Sequence, residues 1–380
     1  MTNRRSFIKA MSLLPLAAGC TINSPASQAN FTPSGLPLRR VNVADNRVIR
    51  TVAGLRPFRS AGFVVNAAKF DDKLVVHNYG HGGGGITLSW GTAHLAMELA
   101  MQTYHKSCAV IGCGAVGLAT ARLMQDRGWQ VTIYAKDLPP HTTSNIAGGQ
   151  WSPTSVYDDE FVTPAFKQQF EAAMRLAYRY YQNLVGTRYG VRWISNYTIG
   201  SEPAPADNFN DRYAEMYPQL MNLTTSQHPF AASHVRHYDT MLIEPAIYLP
   251  AIMQDFYAAG GTIEVVDFSE LGQILRLPEP VVMNCSGLGA RDLFNDQDLY
   301  PIKGQLSILL PQEEVDYMIL GNGGLYMFPR HDGILLGGTF ERNEWNTLPD
   351  PVATRRILDG HAAFFQTMQD PWAGTFSSIH

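Results

Sequence analysis

The apolar positions fall into short strand-length runs and helix-length periodic stretches, with glycine turns between them. Ser-Cys-Ala-Val-Ile at 107–111 is an apolar strand, followed by a glycine turn and then a helical run to Arg127. A second apolar strand, Val-Thr-Ile-Tyr at 131–134, comes next. This order of strand, turn, helix and strand predicts a βαβ unit with parallel strands. Further strands are expected around 41–53, at the run ending in Met283 and Asn284, and around Tyr326. Helices are expected after Thr87, over 90–104, and over 353–368. The pattern thus predicts an α/β chain of two domains. No internal repeat or low-complexity run interrupts it.

The first thirty residues follow a different pattern. A basic start with Arg4 and Arg5 precedes an apolar run at 10–18, then small residues before Cys20. That order is the signature of an export signal, and the arginine pair followed by Ser6 and Phe7 is of the twin-arginine type. Ala17-Ala18-Gly19-Cys20 resembles a lipobox. Export to the periplasm, or anchoring to the envelope through a lipidated Cys20, is therefore expected. A cut within 24–30 is the alternative. The apolar run is far shorter than the roughly 20 residues that span a bilayer. Residues 31 to about 40 read as a linker.

Composition narrows the function. The chain has 380 residues, 45% of them hydrophobic, which is enough for one large or two ordinary domains with a full core. A net charge of -4 argues against general nucleic-acid binding, which draws on excess Lys and Arg. The four cysteines, at 20, 108, 113 and 285, make neither a disulfide framework nor a paired metal-ligand spacing. The last three sit in apolar runs and read as buried, inert thiols. No metal site is expected.

Gly112-x-Gly114-x-x-Gly117 fills the turn of the βαβ unit. In that context Gly112 makes the tight turn and Gly114 lets backbone approach a pyrophosphate. Gly117 packs helix on strand. Cys113, Ala115 and Val116 complete the loop that cradles a dinucleotide at the helix N-terminus. The second strand should end in Asp or Glu for a ribose hydroxyl, yet Lys136 stands there and Asp137 follows. Either Asp137 reaches the ribose or Lys136 contacts ribose or phosphate. The fingerprint alone does not separate NAD from FAD.

Other segments do. GLRPFR at 54–59, HNYGHGG at 77–83, TTSNIAGGQW at 142–151, MNCSGLGA at 283–290, PIKGQ at 301–305, YMFP at 326–329 and LGGT at 336–339 form a set. This set resembles the D-amino-acid oxidase family of FAD enzymes over roughly residues 36–372. The order is unusual, because GLRPFR and HNYGHGG close the family's chains and here precede the fingerprint. The resemblance therefore implies a circularly permuted fold, a Rossmann-type FAD-binding domain with a mixed-sheet substrate domain. The new ends would fall between the helix around 353–368 and the strand around 41–53. The implied division gives 31–106 as the permuted closing segment. The FAD core is 107–155 with 235–300, and the substrate domain is 156–234 with 301–372.

The resemblance also implies roles. Hydride transfer from Cα to a flavin needs clamps more than acids or bases, so no catalytic acid or base is expected. Arg56 would hold the substrate carboxylate as a two-pronged cation, with the Tyr326 hydroxyl beside it. The Gly83 carbonyl would receive the amine. Gly82, Gly83, Gly84, Gly85, Ile86 and Thr87 would meet the flavin from a positive helix end, Thr87 at its O2. Lys136 and Asp137 would face the ribose, and Thr142, Thr143 and Ser144 the phosphates. Gly148, Gly149 and Gln150 would approach the ring, with Val266 by the adenine and Ser286 nearby. His81 reads as a structural hydrogen-bonder. Gly84 and Asn322 replace tyrosines of eukaryotic members, implying a wider pocket and a different lid. Arg330 is either a second anion contact or a strand-end charge, the latter favoured.

The expected activity is FAD-dependent oxidative deamination of D-amino acids to 2-oxo acids, ammonia and H2O2, with O2 as acceptor. The alternative is an envelope-anchored dehydrogenase of D-amino acids, glycine or secondary amines with another electron acceptor. A flavin-retaining binding protein is a third reading, against which Arg56 and Tyr326 stand. The partners are small molecules; the favoured amino acid and the oligomeric state are not legible.

Overall fold

The computed structural model describes residues 38–369. The signal at 1–30, Cys20 and most of the linker lie outside the described residues, as do residues 370–372. Among the described residues no helix is long and apolar enough to cross a membrane.

The first of two sheets has six strands, in the order Val64–Phe70, Lys73–Tyr79, Val281–Asn284, Ser107–Ile111, Gln130–Ala135, Thr262–Val265. All neighbours pair parallel except the antiparallel edge made by Val64–Phe70. The interior strands are mostly apolar because both of their faces are covered, and their buried polar residues, such as Asn78 and Asn284, are hydrogen-bonded. Cys108 and Val110 face one core with helices Gly85–Ala100 and Ala115–Asp126, whereas Ala109 and Ile111 face the opposite core with Ile274 and Leu293. The segment ahead of the fingerprint is thus built into this sheet. Its strand Lys73–Tyr79 pairs with Val281–Asn284 next to the fingerprint strand.

The second sheet has nine strands. Its path is Val48–Phe58, Tyr300–Leu309, Gly333–Gly337, Tyr326–Arg330, Tyr317–Leu320, Val191–Gly200, His234–Ile243, Met221–Leu223, and Glu341–Arg342 pairs with Tyr300–Leu309 off this path. It is mixed, since Tyr317–Leu320 runs parallel to Val191–Gly200 while the other pairs are antiparallel. One boundary moves as a result. All but the first residue of the strand His234–Ile243 falls in the range expected for the FAD core, yet the strand pairs over ten positions with Val191–Gly200 in this sheet. Both faces of this strand carry polar residues: Arg236 lines the cavity, and Asp239, on the other face, accepts from Ser195 Oγ at 3.0 Å.

Local signals set the element ends. Helix Pro351–Thr367 starts where the Asp350 carboxylate accepts the N–H groups of Val352 and Ala353, with proline in the first turn. The helix expected over 90–104 instead spans Gly85–Ala100, and begins directly from the glycine turn Gly82–Gly84. The strand expected at 41–53 spans Val48–Phe58. The two described ends of the chain lie side by side. Val41, Phe365 and Met368 share one core cluster, and Arg355 pairs with Asp45 at 2.9 Å.

Candidate functional site

A cavity of about 1490 Å³ extends from the ends of the parallel strands to the face of the nine-stranded sheet. Its lining includes the residues just past the C-terminal ends of Lys73–Tyr79, Ser107–Ile111, Gln130–Ala135, Thr262–Val265 and Val281–Asn284. Crevices at that edge of an open parallel sheet are where such folds take ligands.

At one end the wall is backbone. Gly112 has φ of 108° and its N–H donates to the Tyr134 carbonyl; a Cβ there would lie 2.5 Å from the Cys285 carbonyl oxygen. A Cβ at Gly117 would overlap the Gly112 carbonyl, so strand and helix touch because neither residue has a side chain. Ser144 Oγ accepts the Ala115 N–H at 3.0 Å and caps the helix. The N–H groups of Val116 and Gly117 are left without an intrahelical carbonyl. The loop from Thr142 is tied down by Thr142 Oγ1 donating to Asn145 Oδ1 at 2.8 Å. Lys136 and Asp267 form a 3.5 Å ion pair, both side chains being mostly exposed (64% and 69%).

The middle of the cavity is held by the segment 148–152. Gly149, with φ of 97°, lies against the Ile243 carbonyl, and the Trp151 N–H donates to Met241 O at 2.7 Å. Opposite stands the start of helix Gly85–Ala100. Its Thr87 hydroxyl accepts the Ser152 N–H and donates to the Ser152 carbonyl, both at 3.1 Å. That hydroxyl is therefore committed to backbone, and the helix offers its N–H groups there instead. His81 is buried, bonds Thr92 Oγ1 through Nε2 at 2.9 Å, and stacks on Phe63. Desolvation lowers its pKa to about 3, so it is neutral and structural.

The other end is made of side chains. Arg56 lies flat over Gly304, where a Cβ would come 2.5 Å from Nη2. The Phe340 ring is 5.8 Å from its guanidinium carbon. No carboxylate pairs with Arg56 among the described residues, and its Nη1 is buried without a partner. Tyr326 stacks on Phe328 and fills the space left by Gly337, directly across the strand pair. Burial raises the Tyr326 phenol above its ordinary value, while the Arg56 guanidinium within hydrogen-bonding reach opposes the rise. Gly83 lines the same space, its N–H held by the Ser155 carbonyl at 2.8 Å.

Of the expected residues, the cavity gathers Arg56, Tyr326, Gly82, Gly83, Gly85, Ile86, Thr87, Gly112, Cys113, Gly114, Ala115, Val116, Gly117, Lys136, Asp137, Thr142, Thr143, Ser144, Gly148, Gly149, Gln150, Val266 and Ser286. Gly84 does not line it. A Cβ there would come 2.7 Å from Val156 Cγ2, so this position packs into the core and does not widen the pocket. Arg330 is not an anion contact either. It is buried, pairs with Asp332 at 2.8 Å, and donates to the Ala147 carbonyl at 2.9 Å, which fixes the 142–150 loop. The second arginine of GLRPFR, Arg59, anchors the frame. It pairs with Asp296 at 2.8 Å, and Tyr79 donates to the same carboxylate at 2.8 Å. Cys108, Cys113 and Cys285 are buried free thiols, the last two pushed up to about 12 by desolvation.

Sequence reasoning missed the clearance glycines Gly304 and Gly337, whose motifs were visible though their purpose was not. It also missed Thr198, Asn210, Arg236 and Tyr238, which line the cavity from the middle of the chain without a motif.

The model of the family described as DAO, FAD dependent oxidoreductase, matches residues 107–379. A D-amino acid oxidase of Dugesia ryukyuensis is 29% identical over 266 residues, covering 66% of this chain and 75% of that protein. A D-amino-acid oxidase of Rubrobacter xylanophilus is 29% identical over 253 residues, covering 66% and 74%. Among solved structures, glycine oxidase from Geobacillus kaustophilus superposes with a TM-score of 0.51 at 16% identity, over 70% of this chain and 80% of that one. The likeness in fold is thus to an enzyme of the same architecture.

Proposed function

This chain belongs to the DAO family of FAD-dependent oxidoreductases, and from that premise we propose that it oxidises D-amino acids to imines, which water converts to 2-oxo acids and ammonia. The observation that carries the reading is the unpaired Arg56 guanidinium beside Tyr326, in one cavity with the glycine cradle. The relatives named D-amino-acid oxidase support the choice of substrate.

The residues present fit FAD. The cradle at Gly112, Gly114 and Gly117 is closed to any Cβ at two of its three glycines, and it offers free helix N–H groups to a diphosphate. Val116, Gly117 and Ser144 would hold the diphosphate, and Gly149, Gln150 and the N–H groups of Gly85, Ile86 and Thr87 the ring. FAD bound there would supply a hydride acceptor at N5, with O2 as the proposed final electron acceptor.

The chain's own residues bind and aim the substrate. Arg56 donates two parallel hydrogen bonds to its carboxylate and Tyr326 donates a third. The Gly83 carbonyl accepts from the amine. With the carboxylate and the amine both held, the requirement that the Cα–H bond face the flavin is the third constraint, and it would select one hand of the amino acid. No side chain has to take a proton in this scheme, in keeping with a His81 that stays neutral and bonded to Thr92.

Visible spectra of the FAD-loaded protein test the reading. Without oxygen, D-alanine should bleach the flavin band while L-alanine leaves it, and air should restore it with release of H2O2. Bleaching that air scarcely reverses would replace O2 by another acceptor; no bleaching by any amino acid would sink the proposal. Arg56→Ala should lower kcat/KM by about 10²-fold or more, since it strips a buried anion of its partner, worth roughly 2–5 kcal/mol.

We further propose that the chain is a circular permutation of the family's order. Support comes from the adjacent ends at Asp45 and Arg355, and from Arg56 and Gly83 entering the site ahead of the matched region. A chain reopened before Ser107, with its described ends joined by a short linker, should fold and bind FAD. Failure of well-linked versions to do so would count against the idea.

A further inference from the structure

Beside Arg56 stands another arginine. Arg56 and Arg342 pair with Ile302 from its two sides, Arg56 on Val48–Phe58 and Arg342 on the two-residue strand Glu341–Arg342. Residues paired directly across strands point to the same face of a sheet, and two strand spacings put these two backbones about 10 Å apart. The Phe340 ring lies between the two side chains. Its centroid is 5.8 Å from the guanidinium carbon of Arg56 and 5.7 Å from that of Arg342. Phe340 is half exposed at the cavity wall, so two cations help to fix a ring that the protein only partly covers.

Arg342 also reaches the segment that holds Gly83. Its Nη1 and Nη2 donate to the two carboxylate oxygens of Asp158 at 2.9 and 2.6 Å, and Nη1 donates to the Tyr300 hydroxyl at 2.6 Å. The guanidinium lies over the buried Phe58 ring at 4.9 Å, and its hydrogen bonds hold the Asp158 carboxyl below the usual carboxylate range. The Asp158 N–H is pinned as well, donating to the Ser60 carbonyl at 2.9 Å. Three residues earlier, Ser155 has φ of 56°, a conformation that a residue with a side chain keeps only where its surroundings hold it. The Ser155 carbonyl accepts the Gly83 N–H at 2.8 Å and leaves no room for a Cβ at Gly82. An isolated surface ion pair contributes little. This one is two-pronged, stacks on a buried ring, and ties the Ser155 segment to Phe340.

We propose that Arg342 is a positioning residue for the substrate: through Phe340 it steadies the Arg56 guanidinium, and through Asp158 and Ser155 it steadies Gly83, so that carboxylate and amine are held at one fixed separation. The inference rests on the oxidase reading, in which Arg56 takes the carboxylate and the Gly83 carbonyl the amine. Arg342 itself does not line the cavity, and it acts only through these two neighbours. Its effect is therefore on geometry, where a misplacement of about 1 Å costs about 10²-fold in rate. The two arms are separable. Without the Phe340 arm the hold on a carboxylate weakens; without the Asp158 arm that hold remains, and the Cα–H bond loses its fixed direction.

The test uses the FAD-loaded full chain, with D-alanine as substrate and propionate, the same acid without its amine, as a ligand titrated against the flavin spectrum. Asp158→Asn should lower kcat for D-alanine about tenfold and leave the propionate dissociation constant within about twofold of the wild type. Phe340→Leu should do the reverse, weakening propionate about fivefold and raising KM more than it lowers kcat. Arg342→Gln should do both. Arg342→Lys should recover propionate affinity, because a point charge still suits the ring, but not kcat, because it cannot grip Asp158 with two prongs. A merely structural arginine would not split the parameters in this way. An Arg342→Gln protein with kcat and KM within about twofold of the wild type would overturn the proposal. So would Asp158→Asn and Phe340→Leu proteins in which kcat and propionate affinity fall together in proportion to lost flavin. If the wild type oxidises no D-amino acid while Phe340→Leu and Arg342→Gln still weaken propionate, the oxidase reading fails and the Arg56 arm of the brace stands.

Discussion

The two ends of the cavity are built on different principles. At the fingerprint end the contacts come from backbone, and side chains matter mainly by their absence: Gly112 and Gly117 have no room for a Cβ. At the other end the wall is made by side chains from strands far apart in sequence, Arg56 on Val48–Phe58 and Tyr326 on Tyr326–Arg330. A backbone cradle recognises a group common to all dinucleotides and tolerates drift in the residues around it. A wall of side chains can be changed one residue at a time. Glycine serves both ends differently. In the cradle it lets backbone touch backbone, whereas Gly304 and Gly337 make seats for Arg56 and Tyr326.

The sharpest way to break the contrast is Gly117→Val. The new side chain would overlap the Gly112 carbonyl and push helix from strand, and overpacking of this kind costs about 1–3 kcal/mol. Flavin should be lost on gel filtration even at micromolar FAD, with activity lost in proportion. A Gly117→Val protein that keeps its yellow colour would show that the cradle does not hold the cofactor. Gly337→Ala asks the same question of the other end. Its methyl group would occupy the Tyr326 ring position, and a shift of the hydroxyl by about 1 Å should lower kcat/KM by about 10²-fold. Flavin content should stay at the wild-type level. Loss of flavin from this variant would mean the two ends are not separable.

Legibility in the sequence follows the same division. The βαβ unit and its glycines could be read because a local pattern carries the whole physical requirement, a turn with positive φ between an apolar strand and a helix. Arg56, Gly83 and Tyr326 could be placed only through a resemblance, since an arginine after Gly-Leu has no local mark of facing a cavity. Gly84 and Thr87 were placed correctly along the chain, but their surroundings were not visible: Val156 and the Ser152 backbone come from about seventy residues later. Arg330 is the strand-end charge that was favoured, paired with Asp332, and only its bond to the distant Ala147 carbonyl was not legible. Arg236 and Tyr238 gave no signal, because the polar members of an alternating strand look alike whether they face solvent or a pocket. Long-range pairing, not local propensity, decided each of these.

The junction between the two ends has a pH signature of intermediate size. His81 is neutral in the fold, with its pKa lowered by burial to about 3 against 6.5 for the exposed ring. The unfolded chain therefore binds one more proton than the folded one at any pH between those values. Stability should be intact above pH 6.5 and fall below it, this residue contributing about 1.4 kcal/mol per pH unit. His77, lowered to about 4, adds a second such proton over a narrower window. Urea unfolding between pH 6 and 4 should show a shallower fall for His81→Gln than for the wild type, by one proton. Equal slopes would mean that His81 is charged in the fold.

The smallest effect belongs to Lys136, and it sharpens the comparison most at the fingerprint end. The residue stands at the position where an acidic side chain would meet a ribose, and it lines the cavity. Its partner Asp267 is as exposed as it is, at 3.5 Å, and pairs of that kind are worth about 0–1 kcal/mol. If backbone carries nucleotide binding, Lys136→Ala should change the dissociation constant for FAD by no more than about fivefold, which is about 1 kcal/mol. The measurement is fluorescence quenching of FAD titrated onto the apoprotein at two salt concentrations. A salt-independent loss of a hundredfold or more would show that Lys136 grips the cofactor directly, and the division between a backbone end and a side-chain end would then fail at its weakest point.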